Sequence, residues 1–184
     1  MNFWISLIGY QLIWFASVIG AGHGLAWPGV LGLALYAAWQ LSCSPSRGTD
    51  LKLMATAVLL GCLLDGGLIQ AGLASYAAAW PLASFAPVWI LALWATFALT
   101  FTQSLKYLQT RLWIALVLGV AGGPMAYLGA ARGWQVISFA APTWHGLLWL
   151  AIGWGIATPL LAWLARRWSQ AAPASRDSLQ GQPT

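Results

Sequence analysis

Charge is what this chain of 184 residues is short of: three aspartates, no glutamate and eight Lys and Arg make up 6% of the sequence. A soluble domain carries roughly 25% charged residues, so this set cannot cover a water-exposed surface. The net charge of +5 rests on cations that stand singly, with no basic face to hold them, which excludes nucleic acid as a partner. Cysteine is nearly absent too. Cys43 falls near a helix end and Cys62 well inside an apolar run, at none of the spacings of a metal site or a disulfide framework. Both read as small buried hydrophobes. Heptad, zinc-ligand, P-loop and dinucleotide-binding patterns are missing, as is any Ser/Cys–His–acid set, so no metal or cofactor is expected. There is no internal repeat, and the acid of the third apolar run has no counterpart in the sixth, unlike the inverted halves of many transporters. The N-terminus lacks the basic start of a signal peptide. Its apolar run, Phe3 to Gly22, also exceeds the usual h-region of about 7–15 residues, so it reads as a retained first helix.

What is abundant is hydrocarbon: 60% hydrophobic residues and a mean hydropathy of +0.74. A membrane-spanning helix needs about 20 mostly apolar residues. Six runs qualify, at residues 3–22, 25–42, 51–73, 86–105, 112–131 and 144–165. The expected fold is therefore all-α, a polytopic bundle of six transmembrane helices over residues 1–167, followed by a disordered tail over 168–184. Gly22-His23-Gly24 makes a tight turn, and Pro28 sits where a first helical turn tolerates it. Residues 42–50 read as a polar loop. Residues 75–87, with Pro81 and Pro87, read as an interfacial loop or short surface helix.

Charge placement gives the bundle a direction. With six spans, Arg47, Lys52, Lys106, Arg111, Arg166, Arg167 and Arg176 fall on one side and Arg132 alone on the other. The positive-inside rule then puts both termini and the tail in the cytoplasm. Tryptophans follow the same frame. Trp4, Trp39, Trp113, Trp163 and Trp168 lie near the inner ends, and Trp27, Trp80, Trp89, Trp134 and Trp144 near the outer ones. Trp14, Trp94, Trp149 and Trp154 are left at depth.

Few residues remain that could carry chemistry. Asp65 is the one acid expected inside the membrane, about 20 Å along its helix from Lys52 at 1.5 Å per residue. A charge at that depth costs about 2.5–3.5 kcal/mol on insertion scales and is a functional candidate by default. Gly61, Cys62, Asp65, Leu68, Ile69 and Gly72 share its stripe, and the small members let another helix approach. Asp65 is thus either a staple between helices or a handler of protons or substrate, and it is the catalytic candidate. Arg132 ends the fifth helix, as an interfacial anchor or a partner reaching inward. His23 and His145 both map to outer helix ends, as independent interfacial residues or as a relay. Gln70 lies beyond Asp65. Thr96, Thr100 and Gln103, and likewise Gly29, Gly32, Tyr36 and Gln40, form polar or small stripes suited to interhelical hydrogen bonds or a hydrated cavity. Gly119 and Gly123 form a GxxxG pair fit for self-association, and Pro124 and Pro159 can kink adjacent helices around a cavity lined by Trp14, Trp94 and Trp154.

Several segments carry a resemblance. They are Asn2 to Phe15, Gly20 to Gly24 with Trp27-Pro28-Gly29, the Asp65 helix, Pro87 to Ile90 with Leu93-Trp94 and Phe97, and Gly122-Gly123-Pro124 to Tyr127. Together, across residues 2–167, the chain resembles a bacterial inner-membrane family known as domain of unknown function 2878. That resemblance implies a multi-pass protein of the bacterial inner membrane with no established activity. It also implies genomic proximity to lipid-modifying enzymes, hence membrane lipids and such an enzyme as partners. Three functions stay open: a lipid-related role in handling membrane lipid or fatty acyl chains, as enzyme or accessory; a small proton-coupled transporter using Asp65; and a structural subunit of a membrane complex.

Overall fold

The structure is a computed structural model and describes residues 3–171. Six α-helices form it: α1 (Phe3–Gly22), α2 (Trp27–Cys43), α3 (Arg47–Gln70), α4 (Val88–Thr100), α5 (Leu112–Trp134) and α6 (Trp144–Gln170). A 3-10 turn spans Lys106–Thr110, and two short strands, β1 (Ala74–Tyr76) and β2 (Ile137–Phe139), complete the order. By length and composition four helices, α1, α3, α5 and α6, can cross a membrane. The all-α expectation holds.

Helix ends follow from local chemistry. Gly24 at φ +76° and Gly72 at φ +67° take the left-handed conformation open to glycine. Each closes the same pair of backbone bonds: Leu25 to Gly20 and Gly24 to Ala21 after α1, and Leu73 to Leu68 and Gly72 to Ile69 after α3. These are Schellman caps, which satisfy the last carbonyls and reverse the chain. Gly20 has a second duty, because a Cβ there would run into the Pro28 ring.

Three boundaries differ from the sequence expectation by four residues or more. The helix read from residue 51 begins at Arg47, so Asp50 lies in the first turn of α3 and not in a loop. It is fully buried. Helix α4 stops at Thr100 instead of 105. Its last carbonyls are taken by side chains: Gln40 Nε2 donates to Leu99 O, Thr100 Oγ1 to Phe97 O and Gln109 Nε2 to Phe101 O. Those donors replace the backbone N–H groups of a continuing helix. Helix α6 runs on to Gln170, so the first residues given to the tail are helical. The rest of that tail, from residue 172, lies outside the described residues.

The stretch read as a surface loop or helix holds β1, which pairs antiparallel with β2 through Ala74↔Phe139, Ser75↔Ser138 and Tyr76↔Ile137. Strands of three residues leave no periodicity to read, and their partners are distant in sequence. Alternation along β1 turns Ala74 and Tyr76 inward and Ser75 outward. The ribbon thereby ties the α3–α4 and α5–α6 connections together at one end of the bundle.

Helix α4 is the hub. At 13 residues it is about 20 Å long, and most of its surface is covered by α1, α2 and α3. The chain after it, irregular from Phe101 to Leu105, is buried or half-buried throughout. Helices α5 and α6 form the most extensive pair. A Cβ at Gly119 would collide with the Trp154 carbonyl, and one at Gly123 with the Trp154 ring. The GxxxG face is thus filled by α6 of the same chain.

Candidate functional site

Asp65 has no exposed surface and accepts three hydrogen bonds from three elements. Tyr76 Oη of β1 donates to Oδ1 at 2.6 Å, Tyr127 Oη of α5 to the same oxygen at 2.7 Å, and Trp94 Nε1 of α4 to Oδ2 at 2.7 Å. Each is a short, well-formed hydrogen bond. An indole N–H can only donate, so Oδ2 is an acceptor toward Trp94. One carboxylate joins α3, β1, α4 and α5. Burial, and then the nearby Asp65 charge, raise the Tyr76 hydroxyl well above the ordinary tyrosine value, which keeps it a donor.

Small residues make the approach possible. A Cβ on Gly61, one turn before Asp65, would fall inside the Trp94 ring. Six residues further along α3, Trp149 of α6 lies over Gly67 and donates Nε1 to Leu64 O at 3.0 Å. Beyond its bond to Asp65, Trp94 stacks on Trp154 with ring centroids 4.1 Å apart and planes at 14°. Phe97 meets Trp154 edge-on at 5.2 Å.

These rings form part of the wall of a cavity of about 310 Å³ among α1, α4, α5 and α6, at the lower end of the range for ligand sites. Tyr10 and Trp14 of α1, Phe97 of α4, and Gly122 and Ala126 of α5 contribute other walls, and among the described residues no Asp, Glu, Lys, Arg or His lines it. Asp65 stands behind the wall, reaching the cavity only through Trp94 and Tyr127. Helices α1 and α5 touch sparsely. The lining residues along that gap, Leu7 and Gln11 on one side and Leu118, Gly122 and Ala126 on the other, are exposed. The cavity therefore opens sideways, through the long faces of two helices.

The sequence candidates separate into two groups. Trp14, Trp94 and Trp154 line the cavity, Trp14 packed edge-on against Trp134 at 5.8 Å. His23, Gln70, Arg132 and His145 are exposed, and none is a partner of Asp65. His23 sits in the turn between α1 and α2, and Arg132 in the last turn of α5, where a cation suits the helix dipole. His145 lies against Trp144 with ring centroids 3.9 Å apart, and Gln70 donates to Ser84 O. Among the described residues no three His, Cys, Asp or Glu gather as a metal site. Tyr76 and Tyr127 were not singled out by sequence. The available signal was reciprocal need, since a buried acid wants donors and a buried tyrosine hydroxyl wants an acceptor.

A family model described as protein of unknown function (DUF2878) matches residues 3–160. No curated protein and no solved structure matches the chain.

Proposed function

The chain belongs to the DUF2878 family, and from its cavity we propose that it is a multi-pass membrane protein that draws the apolar chain of a membrane lipid in between α1 and α5. The observation that carries this reading is the lateral, uncharged opening. A site for a water-soluble solute opens toward water and offers it charge or many polar groups, whereas this one opens where the bilayer would lie and is walled by aromatic and aliphatic side chains.

Six spans with cytoplasmic termini are part of the same reading. Lys52 at the start of α3 lies 5.9 Å from the Trp168 ring near the end of α6, and Ser6 of α1 meets Ser104 beyond α4 at 3.1 Å. The ends that carry the basic residues are thus neighbours, opposite the β ribbon, and the positive-inside rule makes that end cytoplasmic. Helix α4 is short, but its neighbours shield it from lipid.

Asp65 is then a positioning residue. It fixes Trp94 and Tyr127, and through the Trp94–Trp154 stack it fixes the deep wall. A proton carrier at Asp65 has less support, because both carboxylate oxygens already accept hydrogen bonds and the group stands outside the cavity.

Gly122 provides the test. It lines the opening, and a Cβ there meets nothing within 4 Å, so Gly122→Trp projects a ring into the mouth. Delipidated protein is mixed with a C16 phosphatidylcholine and examined by native mass spectrometry in mild detergent. Wild type should retain lipid that Gly122→Trp loses at least tenfold. Equal retention by both would overturn the reading.

A further inference from the structure

A second buried acid lies at the other end of the bundle, where α4 breaks off. Asp50 is fully buried and Gln40, near the end of α2, is 1% exposed. Gln40 Nε2 donates to Leu99 O at 2.9 Å, Thr102 Oγ1 approaches the same carbonyl at 3.3 Å, and Thr102 Oγ1 donates to Asp50 Oδ1 at 2.7 Å. Amide and carboxylate therefore belong to one short network around the last turn of α4. Each keeps an oxygen with nothing to accept: Asp50 Oδ2 and Gln40 Oε1 are buried and unpartnered.

The vacant positions are specific. Turning the Gln40 amide over would set its oxygen against the Leu99 carbonyl, so that bond fixes Oε1 as the free acceptor. Nearby cations are engaged elsewhere. Arg47 donates to Ser42 O, and Lys52 lies over Trp168. Helix α4 also ends here, adding the partial negative charge of its C-terminus. Two unpartnered oxygens, one of them from a carboxylate, thus belong to the network that closes a broken helix. Asp50 has the positive first turn of α3 behind it, but among the described residues no side-chain cation pairs with either oxygen. Broken helix ends with buried acceptors are how membrane bundles coordinate small cations.

We propose that Asp50 Oδ2 and Gln40 Oε1, at the end of α4, bind one small monovalent cation of the sodium class. An all-oxygen set suits a hard cation, and one carboxylate balances one charge, whereas a divalent ion would leave net charge in a dry site. This site shares no residue with the Asp65 network and does not rest on the lipid-chain reading.

Sodium itself is the probe. The full chain is purified in detergent with choline chloride, sodium replaces choline at constant ionic strength, and thermal unfolding is followed. A ligand that binds only the folded state raises the midpoint with the logarithm of its concentration once above Kd. Wild type should show that rise, and Asp50→Asn should lose it. Direct binding of radioactive sodium should be competed by unlabelled sodium but not choline, and should weaken at least tenfold in Asp50→Asn and in Gln40→Leu. No sodium-dependent rise and no competed binding in wild type would overturn the site, as would undiminished binding by a folded Asp50→Asn. If neither variant folds, absence of competed binding by wild type alone overturns it.

Discussion

Asp65 and Asp50 are both aspartates of α3 with no exposed surface, yet they are solved in opposite ways. Asp65 accepts from two tyrosines and an indole. Asp50 accepts from one threonine and keeps an oxygen unpartnered. Burying a charge is costly unless it is compensated, so burial alone says little about a residue's purpose. The carboxylate with both oxygens engaged holds four elements to one point. The one with a free oxygen is where the proposed cation would complete the set.

The largest effects should break this contrast if it is false. Asp65→Ala strands three buried donors at about 1–3 kcal/mol each, so a loss of at least about 3 kcal/mol is expected in reversible unfolding in detergent. Asp50→Asn, measured in choline buffer, should change stability by under about 1 kcal/mol, since it removes a buried charge that pairs with no cation, gives up a modest helix-dipole term, and keeps an acceptor for Thr102. Equal losses for the two would erase the distinction. Tyr127→Phe and Tyr76→Phe should each cost about 1.5–3 kcal/mol, the range for a bond to a charged group. Each should also be strongly non-additive with Asp65→Asn in a double-mutant cycle. Two glycines of α3 sharpen the point further. Gly61→Ala drives a methyl into the Trp94 ring and should cost about 1–3 kcal/mol as overpacking. At Gly66 a Cβ meets nothing within 4 Å, so Gly66→Ala should gain about 0.5–1 kcal/mol from helix propensity.

Much of the helical framework was legible because long apolar runs and glycine reversals leave strong local signals. Helix α1 runs from Phe3 to Gly22 as expected, and α5 starts at Leu112. Asp65 was legible as an acid turned into the bundle, from the small residues around it. What failed to show were features decided by tertiary contact. The early stop of α4 depends on amides from Gln40 and Gln109. The β ribbon is too short for a period, and Asp50 looked like a loop residue because charge before an apolar run normally marks a boundary. Tyr76 and Tyr127 stand on different elements, and only the folded chain brings them to one carboxylate.

The smallest expected effect on stability carries the most about function. Gly122→Trp adds a large side chain where nothing stands within 4 Å of a Cβ, at a position exposed on α5. Replacing an exposed helical glycine relieves up to about 1 kcal/mol of propensity cost, and aromatic burial at the mouth offsets any crowding. Unfolding free energy should therefore stay within about 1 kcal/mol of wild type, and the Asp65 clamp should be untouched. If lipid retention nevertheless collapses, stability and binding have been separated, and the cavity serves a purpose beyond filling the space between α1 and α5. If stability falls by several kcal/mol, the gap is closed by packing that Gly122 makes possible, and the lateral opening belongs to the fold instead.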